Sequence, residues 1–323
     1  MGCRSVFIRN GLISLALLLA LLPSWVNAVM VNDLYIATVR VADRSEAARN
    51  AAMTDALGVV LTKISGRREG GTRVAAATIN ASRYVQRVGY VAGGQLEIGF
   101  DNTAINAMLE QSGLPLWDRE RPVTLVVYPT TLQGRREARA ATELAAKNRG
   151  LPVVWALAES SEQFPVNNLG QIQALAQRYQ AEAVLLARST QDDPSLTNLR
   201  WQLVFRGTTH ESHGDMGEGP YLAAEQISRY YGASGKESTR LVMEVSGVSS
   251  IEAYAKTLDY LQSLLMVRNL SVQSLQGDVI RLQLELRGNQ QALQRVLAIE
   301  QRLSIQASSM ADASATMSYR FTH

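Results

Sequence analysis

The side chains best suited to chemistry in this sequence stand in one short stretch, His210-Glu211-Ser212-His213, with Asp215 and Glu218 close behind. Imidazole nitrogens and carboxylates at short spacing are the ligands a zinc ion would take. The helical H-E-x-x-H pattern sets both histidines on one face, and this stretch is one residue too short for it. On a strand the two rings would point to opposite sides. The stretch reads as a solvated loop, and no metal is expected. Gly235-Lys236-Glu237-Ser238 has the look of a phosphate loop, but such a loop carries Ser or Thr directly after its lysine and a second glycine five residues before the Gly-Lys pair. Here those places hold Glu237 and Tyr230. There is no G-x-S-x-G elbow, and three histidines, one of them His323 at the end, leave little material for a Ser-His-acid site. No catalytic residue and no cofactor are assigned.

Two further groups are candidates for binding rather than reaction. Arg135, Arg136 and Arg139, with Lys147 and Arg149, give one helix a basic side, but Glu137 and Glu143 are interleaved, as on a solvated face. The other group lies where open α/β sheets place ligands, beyond the carboxyl ends of parallel strands. Those ends are Thr130-Thr131, Glu159-Ser160-Ser161 and Arg188-Ser189-Thr190, and Glu159 and Arg188 are the charged contacts a small polar ligand would use there.

The elements that must position these residues fall into three units. Val123–Tyr128, Pro152–Leu157 and Ala183–Ala187 are short apolar runs without alternation, separated by helical patterns. That predicts a small, mostly parallel α/β sheet covered on both faces over residues 121–237. Trp201, Leu203 and Phe205 alternate as an antiparallel edge strand, followed by a polar loop from Thr208 to Pro220.

Before this, residues 29–120 read as an α+β domain of order β-α-α-β-β-α. It is organised around the helix from Asp43 to Gly66, with Met53, Ala56, Leu57, Val60, Leu61 and Ile64 on its core face and Asn50, Thr54, Thr62 and Lys63 on its wet face. Asp43 and Glu46 form its capping box, and Gly66 ends it. Gly58, inside the helix, predicts close approach of another backbone. A second helix is expected over Val74–Arg87, after a polar loop at Arg67–Gly71. Gly93-Gly94 marks a hairpin.

Residues 238–306 read as a ferredoxin-like β-α-β-β-α-β unit. Ser249 and Glu252 cap a helix lined by Ile251, Tyr254, Leu258 and Leu261, and a Gly277-Asp278 turn joins the central hairpin. Residues 307–323 are a tail in which Met317, Tyr319 and Phe321 make a last short strand.

The chain opens with Arg4 and Arg9, an apolar run from Leu12 to Leu22, then Val26-Asn27-Ala28. This is the pattern of a secretory signal peptide cleaved after Ala28. The run is far short of the roughly 20 apolar residues of a membrane span. The lone Cys3 precedes the run, so no lipid anchor is expected. Removing residues 1–28 takes two of the 32 Lys and Arg and none of the 29 Asp and Glu, so the mature net charge is +1 rather than +3. A polyanionic partner such as nucleic acid is not indicated. The mature chain is cysteine-free, which excludes a disulfide and a Cys-ligated metal.

The sequence also resembles a known family. Ala56-Leu57, Val60-Leu61, Ser65-Gly66, Tyr84-Val85 with Tyr90, and Leu114-Pro115 with Trp117 carry the likeness, followed by Arg121-Pro122, Leu151-Pro152-Val153-Val154-Trp155 and Arg178-Tyr179. Their order over about residues 33 to 235 is similar to that of the bacterial domain of unknown function 2066 family. The resemblance implies a secreted envelope protein and brings no activity with it. Two readings follow. The first is a non-enzymatic periplasmic protein that presents surfaces to an envelope partner. The second is an enzyme or small-ligand binder working at the strand ends of the middle domain.

Overall fold

The computed structural model describes residues 28–78, 80–128, 135–156, 168–189, 198–233, 238–300, 302–306 and 316–321. Residues 1–27, which hold most of the expected leader, and the strand-end residues Thr130, Thr131, Glu159, Ser160, Ser161 and Thr190 lie outside the described residues, as do Gly235, Lys236 and Glu237. The class is mixed α/β and α+β, with eight α-helices and four sheets among the described residues.

The N-terminal unit follows the expected order. Strands β2 (Ile36–Arg40), β3 (Val85–Val91) and β4 (Gln95–Phe100) form an antiparallel sheet in the order β2-β4-β3. Helices α1 (Glu46–Ser65), α2 (Arg68–Ala77) and α3 (Asn102–Gln111) surround it, and a 3-10 turn at Ala81–Tyr84 leads into β3. Met53, Ala56, Leu57, Val60, Leu61 and Ile64 of α1 pack with Leu96, Ile98 and Phe100 of β4 in one core.

Several local expectations are corrected. The N-cap of α1 is Ser45, whose Oγ accepts from the Ala48 amide at 3.1 Å, while the Asp43 carboxylate accepts from the Ser45 amide at 2.7 Å. Thr62 and Lys63 are buried rather than wet, because the last turn of α1 runs into the middle of the molecule, between α2 and the turn before β2. Residues 68–71 are the first turn of α2 rather than a loop, so this helix starts and ends earlier than its apolar pattern suggested. α1 and α2 come close together at Gly71, where an added Cβ would lie 2.7 Å from the Thr62 hydroxyl. Gly58 has ordinary room, at 3.6 Å from Ala75.

The middle unit is a five-stranded sheet in the order β10-β9-β8-β6-β7. Strands β6 (Thr124–Val127), β7 (Val153–Trp155) and β8 (Ala183–Ser189) are parallel, and β9 (Leu199–Phe205) is antiparallel to β8. The polar stretch expected as a loop is strand β10 (Thr208–Gly214), which forms a hairpin with β9 through Arg206 and Gly207, both at positive φ. So β10, not β9, is the edge. One face of the sheet packs Leu185, Trp201 and Leu203 against α4 (Arg135–Lys147) and α6 (Glu218–Tyr231). The other packs Val123, Leu125 and Val184 against α5 (Leu169–Arg178).

The last unit has the element order β11 (Ser238–Ser246), α7 (Ile251–Ser263), β12 (Val267–Gln276), β13 (Val279–Arg287), α8 (Gln290–Glu300), β14 (Leu303–Ile305). β15 (Thr316–Phe321), from the segment expected as a tail, enters the sheet between β11 and β14. It runs parallel to β11, giving the order β12-β13-β11-β15-β14. Met317 and Tyr319 are buried in the same core as Met243 and Leu282. The unit therefore extends to Phe321. Its first helix is capped by Ser250, one residue later than expected. Ile251 is 88% exposed, and Ala253, Thr257, Tyr260 and Leu261 form the inner face.

A two-stranded sheet of β1 (Ala28–Met30) and β5 (Glu120–Pro122) lies where the three units meet. No helix among the described residues is long and apolar enough to cross a membrane.

Candidate functional site

Three regions bear on function: the strand ends of the middle sheet, the junction at β5, and the open edge of β3. At the strand ends Arg188 sits one residue from the end of β8 and donates to Gln202 Oε1 at 3.3 Å. Gln202 donates in turn to Glu211, which takes two nitrogens of Arg200 at 2.6 to 3.2 Å. Arg188 thus belongs to a polar ladder across β8, β9 and β10, the sheet form of surface pairing. His210 and His213 fall on opposite faces of β10, as three residues of a strand require. Among the described residues no three His, Cys, Asp or Glu side chains come together as a metal site.

The neighbouring strand ends are aromatic and packed. The Tyr128 ring is 5.2 Å from that of Trp155, and its hydroxyl donates to the Ala138 carbonyl at 3.2 Å, beside the Thr142 hydroxyl. Burial pushes the Tyr128 phenol up to about 12, so it does not act as an acid near neutrality. Arg139, from the basic helix, pairs with Glu143 at 2.9 Å and lies 5.0 Å from the Trp155 ring.

The junction is built on Arg121. Its guanidinium is fully buried and donates to five carbonyls at 2.8 to 3.1 Å: Asp118, Arg149, Gly150, Lys63 and Trp117. It stacks 3.8 Å from the Trp117 ring. Burial lowers its pKa to about 9, which still leaves it charged at neutral pH. Gly150 makes room: its φ is +58, and a Cβ there would come within 2.5 Å of Arg121 Nη1. The buried Asp118 carboxylate accepts from the Arg119 amide at 2.7 Å and from the Leu265 amide of the last unit at 2.9 Å. Lys63 is held by the carbonyls of Asp33 and Ile36 and by the Asp33 carboxylate. One arginine thereby ties α1, the loop before β5 and the α4–β7 turn together, and Asp118 adds the third unit. Trp117 and Arg121, two of the residues that carried the family resemblance, are parts of this junction. Their role is structural, a role the sequence did not identify.

The third region is the edge of the N-terminal sheet. β3 pairs with β4 alone and leaves its other side open among the described residues. Val88 and Tyr90 lie opposite Ile98 and Leu96 and share their face, yet Ile98 and Leu96 are fully buried while Val88 and Tyr90 are 40% and 46% exposed. The reason is reach, since α1 lies over β2 and β4 and stops short of β3. Arg44 sits 5.2 Å from the Tyr90 ring, while Arg87, opposite Gly99 on the other face of the strand, pairs with Glu97 at 3.4 Å. No sequence pattern distinguished this strand from a covered one.

Among known proteins, residues 28–118 match a domain of unknown function, DUF8605, and residues 244–321 match DUF2066. No curated protein matches the chain. The resemblance read over residues 33 to 235 named this family, but the match lies on the last unit instead. The DUF2066 match thus spans the last unit, from within β11 to β15.

Proposed function

We propose that this is a periplasmic protein of the cell envelope, exported by its leader and not lipidated, which works by surface contact with another protein rather than by catalysis. Two observations support export. The first residues carry the charged n-region, apolar run and small-residue site of a signal peptide. The DUF8605 match begins at residue 28, where that leader would end.

The observation that carries the contact function is the open β3 edge. Natural proteins blunt an exposed apolar edge strand, because its unpaired amides and carbonyls invite another strand. Here the edge is seven residues long and bears Val88, Tyr90 and Val91, each at least 40% exposed. The occupant that fits is an extended segment of a partner protein, added as a fourth strand. Its apolar residues would rest on Val88 and Tyr90, and an acidic residue would meet Arg44, beside the Tyr90 ring. A net charge of +1 after leader removal gives no general attraction for nucleic acid.

A photo-crosslinking residue placed at Val88 in cells tests this reading. It should trap one protein through an extended, acid-bearing peptide identified by mass spectrometry. The same residue at exposed Leu144 on α4 should not trap it, and Tyr90→Lys should abolish the adduct. Equal yields at both positions, or no adduct at Val88, would overturn it.

A further inference from the structure

The middle and last units enclose a cleft of about 430 Å³ that none of the strand-end residues line. It lies at the amino end of β8, opposite the end where parallel sheets usually hold ligands. Glu182, just before β8, Arg206, in the β9–β10 turn, and Tyr230 and Tyr231, at the end of α6, form one wall. Gln291, Gln294, Arg295 and Ile299 of α8 form the other.

The charges of this cleft are unequal. The Glu182 carboxylate is already engaged, taking Arg206 Nη1 at 2.7 Å and the Tyr231 hydroxyl at 2.6 Å. Burial and the Glu182 charge push the Tyr231 phenol far up, so it remains a neutral donor to that carboxylate. Arg295 has no such partner: it makes no ion pair among the described residues, and its buried Nε has no hydrogen-bond acceptor. Both guanidiniums lie against the same ring, with Arg206 4.4 Å and Arg295 5.0 Å from the centroid of Tyr230. Two cations gathered on one ring with a single carboxylate between them leave one positive charge over. A buried donor left unpaired is costly, and an anionic oxygen beside Arg295 would satisfy it.

The lining sets the rest of the ligand. Tyr230 and Ile299 are apolar surfaces, while Gln291 and Gln294 supply amides that can both donate and accept. The volume is that of a small-molecule site. We propose that this cleft binds a small organic anion, its carboxylate or phosphate on Arg295 and Arg206 and its planar or apolar body against Tyr230. The site joins the DUF2066 unit to the middle unit, so it exists only in a chain that carries both.

Calorimetric titration of the leader-free protein with phenyl phosphate, phenylacetate and inorganic phosphate tests the proposal and separates the two anion classes. At least one aromatic anion should bind at least tenfold more tightly than inorganic phosphate. Arg295→Gln should weaken that binding at least tenfold, and Gln294→Glu, which adds a negative charge on the same wall without touching the arginines, should do the same. Lys256→Gln, on an exposed pair of α7, should leave it unchanged, and all variants should melt with the wild type. Should Arg295→Gln fail to fold, Gln294→Glu decides alone. No heat with any of the three probes, binding by inorganic phosphate alone as an adventitious ion only, or variants that bind like the wild type would overturn the proposal.

Discussion

The junction around Arg121 and the edge at β3 use the same kinds of residue to opposite ends. At the junction a buried arginine has its donors matched by five carbonyls, and a glycine is kept at Gly150 so that nothing intrudes. At the edge, Arg44 stands with the apolar side chains of Val88 and Tyr90 without a cover. The Arg121 guanidinium and the Asp118 carboxylate of the first region find their partners within the chain, so changes there should appear as stability. The second region leaves backbone and apolar surface for something outside the chain, so changes there should appear as function. The difference shows how a chain with no assigned catalytic residue can still be divided into parts that hold it together and parts that face outward.

The contrast is broken most severely at Arg121. Arg121→Leu removes the charge but strands its buried carbonyl acceptors, each costing about 1–3 kcal/mol when left unpaired and not strictly additive. A loss of about 3 kcal/mol or more in urea unfolding is expected, and Arg121→Lys, which cannot reproduce the planar fork, should recover little of it. A change under 1 kcal/mol (roughly fivefold in the folding equilibrium) would mean the junction is not a staple.

Leu57→Ala, in the core of α1, should cost about 2–5 kcal/mol by leaving a cavity, whereas exposed Asn50→Ala should stay within about 0.5 kcal/mol. Equal midpoints in urea for the two variants would contradict the face assigned to α1. Gly150→Ala joins a positive φ to a clash with Arg121, and should destabilise by at least about 1 kcal/mol. Thermal melts would show this, and an unchanged melting temperature would remove Gly150 from the junction.

The junction also carries a pH signature. Burial raises the Glu120 carboxyl from 4.5 to about 7, with Arg302 opposing the shift and Asp118 adding to it. The folded state then holds a proton that the unfolded state releases between about pH 4.5 and 7, so stability falls as pH rises through that window. Glu120→Gln should flatten this part of the curve of unfolding free energy against pH. A curve of the same slope in wild type and variant would remove Glu120 as its cause.

Much of this organisation was legible in the sequence. The helix after Ser45, the Gly93-Gly94 and Gly277-Asp278 hairpins and the three parallel runs are periodic or punctuated, and periodicity survives folding. What was missed lacks a local signal. β10 has no apolar alternation, because it is a polar edge strand, and only Gly207 hinted at its turn. Lys63 looks wet on a helical wheel because the wheel cannot know that the helix ends inside the molecule. Arg121 is one arginine among many until the three units meet around it. The cleft combines Arg206 with Arg295, and no spacing rule joins residues that far apart. Of the two strand-end candidates, Arg188 is found in a surface ladder, and Glu159 lies outside the described residues.

The β3 edge offers the smallest effect on stability and the sharpest on function. Val88→Lys with Tyr90→Lys places charges on an exposed edge, a change within about 0.5 kcal/mol per site at the surface and one that natural edges use to repel another strand. The most direct measurement is complementation of a deletion strain by this double variant, with its melting temperature recorded alongside. A protein that melts with the wild type and fails to complement is the predicted result. A variant that melts with the wild type and complements fully would contradict the claim that this edge is where the protein meets its partner.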